Sequence, residues 1–188
     1  WPSAPEISSA SGVLMEASSG QVLFDKSMNE IRYPASTTKV MTALIILENI
    51  PDLNKNITFT DIILPDLAPG NSTINAQVGE VLTVEQCLYA IMLASANEVC
   101  TQMAVEVAGS VENFTAMMNA KAAEIGCTNT HFVNANGLPD PNHYTTAYDL
   151  ALILREAVKM KLSVKSQELP NILFLLRIKL LPPEYGKS

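Results

Sequence analysis

Two pairs of polar residues carry the chemistry this chain can be read for. Ser36 and Lys39 stand three apart in S-T-T-K, just after Pro34 and at the head of a long apolar run. Residues at that spacing share one helix face, with Cβ atoms about 5–6 Å apart. The serine Oγ and the lysine Nζ can therefore meet. A serine hydroxyl is a poor nucleophile until a base takes its proton. Lysine serves only when neutral; its reference pKa is about 10.4, and burial beside cationic groups can bring it to roughly 7–8. The apolar run favours such burial, and a helix N-terminus at the serine offers amide donors to a developing oxyanion. Ser-x-x-Lys occurs by chance in many chains, and four residues alone read more readily as an N-cap serine and a solvated lysine. Ser95 and Asn97 form the second pair, in S-A-N between two apolar helical stretches. A plain helix-to-helix cap would use these residue types. The chemical alternative aims a hydroxyl and an amide into a cleft, Ser95 passing a proton to a leaving amine and Asn97 holding a substrate amide.

Elements must place these groups. Residues 12–24 hold two β-rich runs around Ser18-Ser19-Gly20, which reads as a hairpin. From Ser36 the apolar residues Val40, Met41, Leu44, Ile45 and Leu47 recur at helical spacing until Pro51. Residues 52–82 read as loops with short strands. Thr83 and Gln86 form a capping box before a helix over 87–94. After S-A-N a further helix ends at Gly109, Ser110 opens the next, and Gly126 closes it. Residues 134–141, N-A-N-G-L-P-D-P, are a loop. Thr146 and Asp149 read as another capping box, opening a helix through Val158.

Composition narrows the field. The 188 residues are 48% hydrophobic and 16% charged, with a net charge of −7. That is a globular balance, enough for one domain or two closely packed ones. Lys and Arg are scattered, so a nucleic-acid partner is not expected. No apolar run of 18 residues occurs, so no membrane span is expected. Cys87, Cys100 and Cys127 are odd in number and lack a Cys-x-x-Cys spacing, so they read as small buried hydrophobes, with neither metal nor disulfide framework. The opening at Trp1 reads as a mature exported chain after signal-peptide removal.

Ser-x-x-Lys, Ser-x-Asn and Lys-Thr-Gly together are the motif set of penicillin-binding proteins and class A β-lactamases. The segments YPASTTKVMTAL, MLASANE, NANGLPDPNHYTTAYDLALI and SGVLMEASSGQVLFDKSMNEIRYPAS closely resemble the D-alanyl-D-alanine carboxypeptidases, the low-molecular-mass penicillin-binding proteins, over roughly residues 5–160. The resemblance implies an α+β fold, an antiparallel sheet with packed helices and a mostly helical subdomain, approximately residues 51–145. It implies that Ser36 attacks the peptide bond between two D-alanines of a peptidoglycan stem peptide, with Lys39 as base and Ser95 and Asn97 as the second motif. β-Lactam antibiotics would acylate the same serine. No metal or cofactor is implied, and the expected location is the bacterial cell envelope, outside the cytoplasm. Membrane contact would come only through a C-terminal anchor that this sequence does not show. A class A β-lactamase fits less well, since that class usually has Asp where Ala96 stands and its Glu-containing deacylation loop has no counterpart here. His143 reads as a surface or capping residue rather than part of the cleft.

The pattern then breaks. Lys-Thr-Gly occurs nowhere in the 188 residues. The family carries it on a strand beside the nucleophile, so the expected domain, residues 1–160, is incomplete, with C-terminal sheet strands missing. Residues 161–188 are off-pattern. Taking the last base of each codon with the first two of the next, permitted codons from Asn171 to Leu181 can spell HTIPATNKTP. TIPATNK is what the family usually shows next, so the tail reads as frameshifted. A membrane-lying amphipathic helix is the competing reading, limited by Pro170 and Pro182. Three functions follow as expectations: a serine carboxypeptidase, a catalytically impaired fragment, and a β-lactamase-like hydrolase.

Overall fold

A computed structural model describes residues 6–163. The expectations for the tail from residue 164 onward, its shifted frame and the competing membrane-lying helix, lie outside the described residues. Strands β1 (Gly12–Met15) and β2 (Val22–Lys26) pair antiparallel, Gly12 opposite Lys26. The turn between them is built on Glu16, whose carboxylate accepts from the backbone and hydroxyls of Ser18 and Ser19. Gly20 supplies the left-handed residue, φ +79°, that a side chain would strain. The hairpin is tied to the end of the chain's helical part, for Arg155 donates to the carbonyls of Ala17 and Ser18 at 2.8 Å each.

Helix α1 (Lys39–Asn49) is the axis of the molecule. Every residue from Lys39 to Ile46 is buried, which an all-round apolar helix requires. It packs against α3 (Asn97–Ala108), α4 (Val111–Glu124) and α5 (Ala147–Ser163). Between α1 and α3 lie β3 (Asn56–Thr58), a 3₁₀ turn Asp61–Leu67, β4 (Val81–Thr83) and α2 (Val84–Tyr89). β3 and β4 pair antiparallel as a second small ladder. Thr83 and Gln86 form the complete capping box expected from the sequence. Ser110 caps α4 through the Asn113 amide, and Gly109, φ +79°, stops α3.

Three local expectations need correction. Helix α2 gives way to a π-turn, Ala90–Ala94, rather than continuing as α-helix. At Thr146 only half of a capping box forms: the hydroxyl accepts from the Asp149 amide. The Asp149 carboxylate turns instead to the Asn129 amide and the Thr130 hydroxyl, so it stitches a distant loop to α5. The helix also runs five residues past Val158, to Ser163. Cys87, Cys100 and Cys127 are all buried, as their surroundings in the sequence suggested.

Candidate active site

Ser36 does not sit in α1 itself. It lies in a single 3₁₀ turn, Ala35–Thr38, that feeds directly into the helix. Ala35 before it has φ +48°, a left-handed conformation unusual for a residue with a Cβ. The reason is the neighbouring loop. Gly137, φ +88°, lies so close that a Cβ on it would stand 1.9 Å from the Ala35 carbonyl oxygen. Only glycine allows that approach, and the approach sets the backbone on which Ser36 is carried. The half-buried serine therefore projects from a constrained turn rather than a regular helix.

Lys39 follows three residues later, fully buried. Its Nζ lies 3.4 Å from Ser36 Oγ, 2.7 Å from Asn97 Oδ1 and 2.5 Å from the Asn136 carbonyl oxygen. Burial pushes its pKa below the ordinary lysine value, while Cys100, Asp66 and Glu98 act in the opposite direction. Ser95 reaches the same point from the other side, its Oγ 3.0 Å from Ser36 Oγ. The π-turn delivers it there. The Ser95 amide bonds the Ala90 carbonyl five residues back, and Ser95 takes a left-handed conformation, φ 59° and ψ 30°. Such turns and such strain recur at functional sites. Asn97 then opens α3, buried, with its amide donating to Ser72.

The structure thus brings together all four residues singled out in the sequence, Ser36, Lys39, Ser95 and Asn97. It also shows groups that the motifs did not announce. Asn136 supplies the third contact of Lys39 from the loop over 134–138, which is pinned to α1 where Thr42 donates to Ala135 at 2.6 Å. Asn-Gly at 136–137 was visible as turn chemistry, but its partner across 97 residues was not. His143 is 1% exposed and so is neither a surface nor a capping residue. Its Nε2 bonds Thr38 Oγ1 at 2.8 Å and its Nδ1 accepts from the Val133 amide at 3.1 Å. It anchors the residue beside Lys39 to the far loop. The second nitrogen accepts, so the ring is neutral with its proton on Nε2.

Comparison with known proteins identifies the fold and the family. Penicillin binding protein 5 from Haemophilus influenzae superposes with a TM-score of 0.81 at 26% identity, over 87% of this chain and 48% of that one. Penicillin binding protein 6B from Escherichia coli gives 0.79 at 30% identity, over 84% and 52%. The fold is therefore the α+β fold of the penicillin-binding proteins. The chain belongs to the peptidase S11 family, the D-alanyl-D-alanine carboxypeptidases, whose family model matches residues 1–171. That match reaches past residue 160, the limit of the resemblance expected from the sequence. D-alanyl-D-alanine carboxypeptidase DacF of Bacillus subtilis is 41% identical over 152 residues, 79% of this chain and 39% of that protein. DacC of Escherichia coli is 32% identical over 160 residues, 80% of this chain and again 39% of the relative. The chain thus spans about two fifths of the length of these curated relatives.

Proposed function

We propose that this chain is the nucleophile-bearing part of a serine D-alanyl-D-alanine carboxypeptidase, which removes the terminal D-alanine of a peptidoglycan stem peptide. The observation that carries the proposal is the meeting of Ser36, Lys39 and Ser95 at one hydroxyl oxygen, with the lysine buried. A neutral amine has two hydrogens and one lone pair. The Asn97 and Asn136 oxygens take the two hydrogens. The lone pair is then left for Ser36, which is the arrangement a general base needs. Ser36 Oγ attacks the D-alanyl carbonyl as Lys39 accepts its proton. Ser95 passes a proton to the leaving D-alanine amine, and water later hydrolyses the acyl-serine. Asn97, having oriented Lys39 through Oδ1, presents its Nδ2 to a substrate carbonyl. We assign residues 1–160 to an incomplete transpeptidase-like domain, with a helical subdomain at about 51–145. β-Lactams are the corresponding covalent ligands. Such a substrate places the protein outside the cytoplasm, in a bacterial cell envelope.

Labelling with a fluorescent penicillin tests this reading without requiring turnover, because an acyl adduct accumulates even when it forms slowly. We expect one adduct per chain, on the peptide containing Ser36 by mass spectrometry, and none in Ser36→Ala. An adduct that survives in the alanine variant would move the nucleophile elsewhere.

A further inference from the structure

Asp66 belongs to neither motif. It lies on the turn Asp61–Leu67 and is buried, 7% exposed. Its two oxygens reach two different elements. Oδ2 accepts from Thr101 Oγ1 of α3 at 2.5 Å, and Oδ1 accepts from Asn136 Nδ2 at 3.2 Å. The orientation of the Asn136 amide is fixed independently, because its Oδ1 accepts from the Leu138 amide at 3.0 Å. Nδ2 must then face Asp66. The backbone carbonyl of the same asparagine holds Lys39 Nζ at 2.5 Å. A continuous line of hydrogen bonds runs from α3 through Asp66 and Asn136 to the amine.

We propose that Asp66 is a positioning residue for Lys39, fixing through Asn136 the carbonyl that orients the amine toward Ser36 while keeping a negative charge beside it. The proposal rests on the assignment of Lys39 as the base. The charged and titratable groups facing Lys39 are Asp66 from the turn and Glu98 and Cys100 from α3; Ser36, Asn97 and Asn136 are its neutral partners. Glu98 spends one oxygen on the Ile74 amide, and its other oxygen has no hydrogen-bond partner among the described residues. Asp66 is the acid joined to the lysine by a bonded path. Burial drives Lys39 toward its neutral form, and a neighbouring carboxylate opposes this. Asp66 therefore raises the pH at which the amine loses its proton, while the bonds it makes hold that amine in line.

The two effects separate by substitution. Asn in place of Asp66 keeps the shape and one acceptor but removes the charge; Ala removes both. In protein carrying lysine labelled with carbon-13 at Cε, the Lys39 resonance is identified by its loss in Lys39→Met and followed against pH. The titration midpoint should fall in Asp66→Asn relative to the unchanged chain. It should stay in place in Asp61→Asn, an exposed acid on the same turn. In Asp66→Ala the rate of Ser36 labelling by a fluorescent penicillin should also drop by about tenfold, the size of one lost charge-assisted hydrogen bond. A Lys39 midpoint that does not move in Asp66→Asn overturns the proposal, and this variant carries the test even if the alanine variant fails to fold. A midpoint that moves in a protein that penicillin does not label sustains the Asp66–Lys39 link and removes the catalytic assignment of Ser36 instead.

Discussion

At Lys39 opposing effects meet in one buried amine, and burial is the largest of them. Burial lowers its pKa, and the negative groups around it raise it again. Only the unprotonated form can take the Ser36 proton, and that form is lost as pH falls. Acylation should therefore decline on the acid side, through a midpoint below that of an ordinary lysine. A pH profile of penicillin labelling checks this; labelling that rises as pH falls below neutrality would exclude Lys39 as the base. Gly137 makes a steric prediction at the same scale. A Cβ there meets the Ala35 carbonyl, and φ +88° is itself costly for alanine, about 1–3 kcal/mol for such a backbone. Gly137→Ala should lower the melting temperature and slow labelling at least tenfold, since the displaced atoms carry Ser36. Unchanged labelling would show that the 134–138 loop does not set the serine. The four motif residues were legible because each pair is close in sequence, where spacing fixes geometry. Asp66 and Asn136 were not, because they meet Lys39 only through the packing of two loops, and a lone Asp in D-L-A-P-G-N carries no periodic signal.

Among the elements, the hairpin, the Thr83 cap and the Gly109 stop were readable because local chemistry decides them. The π-turn was not. Its extra residue per turn comes from the demand that Ser95 and Asn97 both face α1, which is a tertiary constraint. His143 was misread for a similar reason: Pro-rich flanks suggest a surface, but the ring is enclosed between Thr38 and Val133. Burial lowers its pKa from 6.5 to about 4. The sign of the consequence follows from proton counting. Between these values the unfolded chain binds a proton at His143 and the folded one does not, so stability falls as pH drops from about 6.5 to 4 and is unaffected by this residue above that window. The shift corresponds to at most about 3 kcal/mol. Melting curves at pH 7 and pH 4.5 should differ by several degrees, and His143→Gln should shrink the difference. An equal pH dependence in both proteins would assign the acid sensitivity to other groups.

For the molecule as a whole, the described residues bring Ser36, Lys39 and Ser95 together, which on the proposed assignment are the nucleophile, its base and a proton donor. Among the described residues the longer of the two ladders, β1–β2, has two strands, and Leu14 and Leu23 on it are 54% and 47% exposed. A two-stranded ladder is marginal by itself; here Arg155 and α5 hold it. The resemblance to the D-alanyl-D-alanine carboxypeptidases implies a strand bearing Lys-Thr-Gly that would bind the substrate carboxylate and give a backbone donor to the oxyanion, and that motif does not occur in these 188 residues. Loss of one such donor lowers a rate by about a hundred- to a thousandfold. Acylation and turnover should then part company in the 188-residue chain taken by itself. Ser36, Lys39 and Ser95 are assembled, so on the proposed assignment a strained β-lactam, whose ring supplies part of the driving force, should still label Ser36 over hours. A relaxed peptide has no such help. Release of D-alanine from a diacetyl-lysyl-D-alanyl-D-alanine peptide should fall well below the rate of about one per second at the low end of ordinary enzymes. Amides of β1 and β2 should also exchange with deuterium faster than those of α1 and α3, the strands having no further ladder among the described residues to protect them. Turnover above one per second by the purified 188-residue chain would mean that another group within these residues supplies the oxyanion donor, and that the Ser36 turn and the α3 entrance form a complete site.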